Sequence, residues 1–277
     1  MYTLFYNADG SITSNKPLIE KMTETLGLDG NLNLKGDLTV SGNIIGNIQP
    51  SLHSIVLNSA IPNSIFPENL IKNIYNTARI QVEMIGGGGG GGRCLAKVFG
   101  GGGGGAGGYL KFSMNLVNVD DLNKIQYTIG AGGIGNSGNK MISQVGGAGG
   151  NTSIKFNNFE IIASGGNGGG ISENIADLLA PGGLGGVNNL ESVDSTIFEE
   201  IISINGGDGA NGGPGTQIVY SGHGGSSFFG GGSYGTSFKI KDNSNLPYGA
   251  GGGGSINQDN SGASNGGHGI IIITYIA

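Results

Sequence analysis

Gly231-Gly232-Ser233-Tyr234-Gly235 has the G-x-S-x-G spacing that, in hydrolases, lifts a nucleophilic serine onto a sharp turn. That turn needs a strand before it, a helix after it, and a histidine and an acid within reach. Glycine fills both flanks here, so the spacing predicts no nucleophile and the chain is read as a non-enzyme. His53, His223 and His268 contain no i,i+4 pair. Two of them could share a metal across a fold or a symmetry axis, but surface or stacking histidine is the plainer expectation. Several G-x-G-x-x-G runs occur, none inside a strand–helix–strand unit, and no Walker lysine follows any tract. Asp120-Asp121 and Glu199-Glu200 are expected to be solvated turns, and no paired carboxylates stand at a spacing that suggests glycoside hydrolysis. Cys94 is the single cysteine, which excludes an internal disulfide and a zinc site built on paired cysteines. No cofactor is expected.

What remains is contact chemistry. In a chain this rich in glycine, side chains can be displayed only where other residues interrupt: Arg93–Phe99, Ile171–Ala180, Asn188–Asn205, Phe238–Pro247 and Ser255–Ser264. The residues singled out as possible receptor contacts are Arg93, Lys97, His223, Tyr234 and Tyr248. Tyr234 and Tyr248 could stack on sugar rings; packing over glycine backbone is their competing role.

The elements that must position these residues are unusual. Of 277 residues 61 are Gly, with 36% hydrophobic and only 12% charged. Disordered chains are usually charged and poor in aliphatics, so this composition reads as folded. Six glycines fall in residues 1–85 and 55 in residues 86–277, which marks a compositional boundary near Gly86. Gly86–Gly92 and Gly100–Gly105 are the longest tracts. Strand candidates alternate with the tracts at Arg79–Ile85, Tyr109–Leu116, Ile125–Ile129, Thr152–Phe156, Glu160–Ala163, Gln217–Tyr220, Ser237–Lys241 and Gly269–Ile276. The fold class expected is all-β.

Glycine segments without side chains must pack backbone on backbone or stay disordered. An extended threefold helix, rising about 3.1 Å per residue, makes no internal hydrogen bonds and offers its amides outward to neighbours. Gly206, Gly209, Gly212 and Gly215 show that threefold spacing, without the strict register or proline content of collagen. Ordering each glycine costs roughly 0.5–1 kcal/mol more than ordering alanine, so only dense amide pairing anchored on a β core can hold such segments.

Three segments are expected along the chain. Residues 1–26 carry a hairpin signal at Asp9-Gly10 and a short helix after Ser14, with Leu18, Met22 and Leu26 on one face. Residues 27–60 hold a stem: Gly30-Asn31-Leu32-Asn33-Leu34-Lys35 and Gly36-Asp37-Leu38-Thr39-Val40-Ser41 repeat every six residues, a pattern stable when several chains wrap together. A homotrimer is therefore expected, against the alternative of a β-meander folded onto the main domain. Residues 61–277 form the glycine-rich domain. A net charge of −6 argues against nucleic acid. No apolar stretch approaches the ~20 residues of a membrane span. The N-terminus lacks a signal-peptide pattern, which suits synthesis in a host cytoplasm.

Seven motifs in order carry a resemblance: the strand Ile80–Ile85 entering Gly86, the tract Gly100–Gly108 before Tyr109, Tyr127–Gly133, Gly149–Ser153, Gly224–Gly230, Tyr248–Gly254 and Gly266–Ile273. Over roughly residues 65–277 the chain resembles the glycine-rich domain of bacteriophage tail-fibre adhesins and of virion fibre proteins in large DNA viruses. It is more distantly similar to the glycine-rich module of anaplastic lymphoma kinase receptors, without any kinase domain, span or multiple cysteines. The resemblance implies a jelly-roll-like β-sandwich with bundled polyglycine II helices, a place on the virion surface, and often host recognition. Its implied partners are other virion proteins, met through the N-terminal segment, and a host surface glycan or protein. A purely architectural collar, cap or joint is the alternative, and an ice-binding protein a further one that the stem repeat disfavours.

Overall fold

The alternation of Ile80, Val82 and Met84 with Arg79, Gln81 and Glu83 builds a strand, and that strand becomes the middle of a sheet. The computed structural model describes residues 4–6, 12–14, 51–58, 64–74, 77–94, 100–118, 122–135, 143–172, 179–190, 193–214, 220–235, 246–256 and 262–276. The chain divides into two units, Met1–Gln49 and Pro50–Ala277. In the first, β1 (Leu4–Tyr6) and β2 (Ile12–Ser14) pair antiparallel with Phe5 opposite Thr13, the hairpin expected around Asp9-Gly10. The expected helix after Ser14 and the six-residue repeat lie outside the described residues, as does most of the expected strands at 217–220 and 237–241.

Among its described residues the second unit contains two antiparallel sheets. Strands β3 (Leu52–Leu57), β5 (Arg79–Ile85), β7 (Tyr109–Asn115), β11 (Phe198–Ile204) and β13 (Ile270–Ile276) form one, in the order β11-β7-β5-β13-β3. Strands β4 (Ser64–Ile65), β8 (Gln126–Thr128), β9 (Thr152–Phe156) and β10 (Phe159–Ala163) form the other, in the order β10-β9-β8-β4. Val82, Met84, Phe112, Phe198 and Ile273 from the first sheet share one hydrophobic core with Tyr127, Ile154, Phe156 and Ile161 from the second. Helix α1 (Glu68–Ile74) adds Leu70 and Ile74 to it. The fold is an all-β sandwich. A short parallel pair, β6 (Arg93–Cys94) with β12 (Ser255–Ile256), is hydrogen-bonded to neither sheet.

Two elements differ from the sequence expectations, and a third, the helix before Arg79, was not among them. Leu52–Leu57, assigned to the stem, is an edge strand of the larger sheet, where Ile55 and Leu57 pack on the core. The proline-bearing stretch before Arg79 contains α1, whose start is signalled by Pro67 and by Glu68 in the first turn. Glu199 and Glu200, expected in a solvated turn of a displayed loop, stand on β11. The register shifts between Glu199 and Ile202, and Glu200 adopts φ 52°. This bulge lets both carboxylates reach the neighbouring strands. Glu199 pairs with Arg79 and accepts from Asn115 Nδ2 at 3.1 Å, while Glu200 accepts from Ser113 Oγ at 2.7 Å.

Strands of the sandwich continue directly into glycine segments: β5 into Gly86–Gly92, and Gly100–Gly108 into β7. Along Gly86–Gly92 the N–H groups address three neighbours in turn, repeating every third residue. Gly86, Gly89 and Gly92 donate to Gly108, Gly105 and Gly102; Gly87 and Gly90 to Gly150 and Gly147; Gly88 and Gly91 to Gly267 and Ser264, all at 2.8–3.0 Å. The carbonyls accept from three further segments, through Gly133, through Gly166 and Gly169, and through Gly252 and Ser255. Six neighbours thus surround this segment.

Gly100–Gly108 is surrounded in the same way. It donates to residues 207–213, 249–255 and 164–170, and accepts from residues 86–92, 183–186 and 222–225. Among the described residues, eight outer segments enclose the two central ones. A three-residue period with no bond closing inside a segment is what an extended threefold helix produces. At the glycines, packing this close leaves no room for a Cβ: one on Gly104 would fall on the carbonyl of Gly89, and one on Gly89 on the carbonyl of Asn167, whereas Ala106 fits its single methyl inside the second segment. The two purest glycine tracts are therefore the two interior segments. The sandwich sets their register, because Ile85 pairs with Tyr109 and Ile270, and these three side chains form a small buried cluster at the junction.

Candidate functional site

The outer segments turn two residues of every three toward the interior and one toward solvent. The outward residues recur at that spacing: Ala131 and Ile134; Val145, Ala148 and Asn151; Pro181, Leu184 and Val187; Asn205, Asp208 and Asn211; Tyr220, His223 and Ser226. All of them are exposed. At the rim an outward N–H no longer has a neighbouring backbone to meet, and polar side chains take its place. Gly182 N–H donates to Asn211 Oδ1, Gly185 N–H to Asp208 Oδ1 and Gly135 N–H to Asn265 Oδ1, each at 2.8 Å. Gly165 N–H donates to Asn151 Oδ1 at 2.9 Å, and Gly132 N–H to His268 Nδ1 at 3.1 Å.

One rim region gathers aromatic side chains. His223 Nδ1 accepts from Gly235 N–H at 3.1 Å, and its ring meets Tyr234 edge-on at 5.5 Å and 82°. Tyr234 is 73% exposed, and Tyr220, one period before His223, is 61% exposed. Beyond Ser226 the chain turns through Ser227–Gly230, where the N–H of each end donates to the carbonyl of the other. Phe228, exposed over half its surface, stacks on Tyr109 at 3.8 Å, and Phe229 meets both rings edge-on. Tyr109 is buried and donates its hydroxyl to Glu83 at 2.8 Å; burial first, and then that carboxylate, push its pKa well above the usual tyrosine value. The phenol therefore stays a donor and fixes the ring on which Phe228 lies.

The glycine-rich domain family model matches residues 71–276, a span that takes in both central segments and all eight outer ones. The chain belongs to the glycine-rich domain family. No curated protein is significantly similar to it.

Within this glycine-rich domain the five residues singled out from sequence separate. His223 and Tyr234 come together, through one N–H bond and one ring contact. Tyr248 sits on the turn Pro247–Ala250, just before Gly249, whose φ of 71° and lack of Cβ admit Ile85 beside it. Among the described residues it makes no ring contact with the His223–Tyr234 pair. Arg93 is 2% exposed, paired on β6 with Ser255 and exchanging two backbone bonds with Gln144, so the segment it opens does not display it. Its backbone continues the three-residue bonding order of Gly87 and Gly90, which draws the side chain inward. Lys97 lies outside the described residues. Ser233 of the G-x-S-x-G run is 3% exposed, with its hydroxyl on Ser264 Oγ at 3.0 Å.

The three histidines occupy three places: His53 stacked on Tyr275, His223 under Tyr234, and His268 on Gly132. Among the described residues no three of His, Cys, Asp and Glu gather as a metal site. No helix among them is long and apolar enough to cross a membrane. Cys94 is buried, which pushes its thiol pKa up, while Ser172 N–H donates to its sulfur at 3.4 Å. Tyr220 and Phe228 were missed in the sequence. For Tyr220 the spacing Tyr220–His223–Ser226 was the available signal, since one residue in three must face out; Phe228 sits on the turn after Ser226 and falls outside that spacing.

Proposed function

We propose that this chain is a virion surface fibre or spike protein that attaches a particle to its host, with the glycine-rich domain facing outward. The aromatic row of Tyr220, His223 and Tyr234 carries the reading. Three exposed rings stand on a backbone held by hydrogen bonds to its neighbours, so a ligand would be met by preorganised side chains at little entropic cost. Rigid aromatic surfaces are the usual anchors of an interface and of sugar recognition. The low charge of the chain and its resemblance to tail-fibre and virion-fibre domains support the same role. In this reading the bundled segments are polyglycine II helices, the N-terminal segment meets other virion proteins, and the repeat of residues 27–48 assembles three copies into a stem. A solution mass near three times 27.8 kDa is expected.

Labelled protein should bind host cells, and unlabelled protein should compete it away. Replacing Tyr234 and His223 together with alanine should weaken that binding by about 30-fold, the scale of a hot-spot loss of roughly 2 kcal/mol. Absence of binding, combined with failure of particles lacking the protein to assemble, would overturn attachment in favour of an architectural collar, cap or joint.

A further inference from the structure

The chain contains four Asn-Gly pairs, at Asn167, Asn205, Asn211 and Asn265. Asn-Gly is the most reactive sequence for spontaneous deamidation, because glycine leaves its own nitrogen unhindered. That backbone nitrogen, after losing its proton to hydroxide, attacks the asparagine Cγ. A C–N bond forms, the side-chain nitrogen takes up a proton and leaves as ammonia, and a five-membered succinimide remains. Water then opens the ring at either carbonyl, giving aspartate or isoaspartate. All four asparagines are exposed, so access to the side chain does not distinguish them. The backbone does.

Gly206, Gly212 and Gly266 each donate the N–H that would have to react. Their acceptors are Gly186 O at 3.0 Å, Ala180 O at 2.8 Å and Gly133 O at 2.8 Å. At two of these sites the electrophile is held as well, since Asn211 Oδ1 accepts from Gly182 N–H and Asn265 Oδ1 from Gly135 N–H. Asn205 has only the backbone lock. Gly168 differs from the other three. Its N–H has no acceptor among the described residues, and neither has the Asn167 side chain. The reason lies in the period. Gly165, three residues earlier, donates to Asn151 Oδ1 on the adjoining segment. The corresponding place opposite Gly168 falls to Ala148, three residues before Asn151, whose methyl accepts nothing.

We infer that Asn167-Gly168 is the deamidation site of the folded glycine slab, and that the hydrogen-bond lattice shields the other three pairs. The consequence is structural. Asn167 donates its N–H to Leu184 O and accepts from Gly105 N–H, on one of the two segments that adjoin both central tracts. Isoaspartate there inserts an extra main-chain atom and breaks the three-residue register at that point.

Peptide mapping of the intact protein, incubated in mildly alkaline buffer, tests this. Asn167 should convert first, Asn205 next, and Asn211 and Asn265 last. The first and last rates should differ by at least about tenfold, since a lattice bond must open before reaction. In urea the four sites should convert at one rate. Ala148→Asp, which places an acceptor opposite Gly168 as Asp208 does opposite Gly185, should slow Asn167 and leave the other sites unchanged. Conversion of Asn211 or Asn265 as fast as Asn167 in the folded protein would overturn the inference. So would an unchanged Asn167 rate in a folded Ala148→Asp variant.

Discussion

In the sandwich, Phe112 and Phe198 meet edge to face at 5.6 Å inside a core of aliphatic side chains. In the slab, Gly89 and Gly104 lie back to back with nothing to bury, and both use their N–H and C=O groups on neighbouring segments. The first region excludes water by side-chain area, which is forgiving of shape to within a methylene or so. The second excludes it by amide pairing, which is directional and has no space for an added methyl group. Hydrophobic burial is thus concentrated where the strands pair, and the slab borrows its register from that clamp at Ile85, Tyr109 and Ile270. Glycine here is a packing residue, as demanding of its place as phenylalanine is in the core.

Substitution breaks the two regions differently. Gly104→Ala should be the most damaging single change, above about 4 kcal/mol and sufficient to prevent folding, because its Cβ would fall on the Gly89 carbonyl, which the Gly252 N–H holds in place. Recovery of soluble protein and a denaturant midpoint would show it, and a near-normal midpoint would mean that the segments can slide apart. Phe112→Ala should cost about 3–5 kcal/mol as a core cavity, with the slab still formed. At the rim the scale falls. Asn211→Ala strips Gly182 N–H of its acceptor and should cost about 1 kcal/mol, whereas Leu184→Ala on an exposed row should stay within about 0.5 kcal/mol.

The smallest effect concerns pH. The hydrogen bond from Arg79, with a second from Asn115, holds the Glu199 carboxyl below the usual carboxylate range. A carboxyl lowered on folding contributes stability that is complete above its unfolded pKa and is lost as pH falls through the lowered value. Melting temperature should therefore drop below about pH 4, and Arg79→Met should flatten that drop.

The strands were largely legible because alternation survives any surroundings: Arg79–Ile85 and Thr152–Phe156 have the bounds expected of them, and Tyr109, Phe159 and Ile270 open strands within a residue of those expected. The strand Phe198–Ile204 was not legible, because a bulge at Glu199 and Glu200 breaks the alternation on which such reading depends. The short helix was hidden by its proline, which serves equally to start a helix or to end a strand. That the longest glycine tracts matter most was legible, since a segment with neighbours on six sides has room for a Cβ almost nowhere, Ala106 being the exception. Which segments lie side by side was not, because amides are identical along the chain and carry no partner code. The same limit separates the candidate contact residues: Arg93 and His223 look alike in sequence, and only the three-residue phase turns one inward and the other out.

Hydrogen exchange resolved to single glycine amides tests the amide lattice most directly. The N–H groups of Gly86–Gly92 and Gly100–Gly108 should exchange as slowly as those of β5 and β7, through global unfolding alone, while Gly168 exchanges rapidly at the rim. Exchange of the two central tracts at the rate of an unstructured peptide would contradict it.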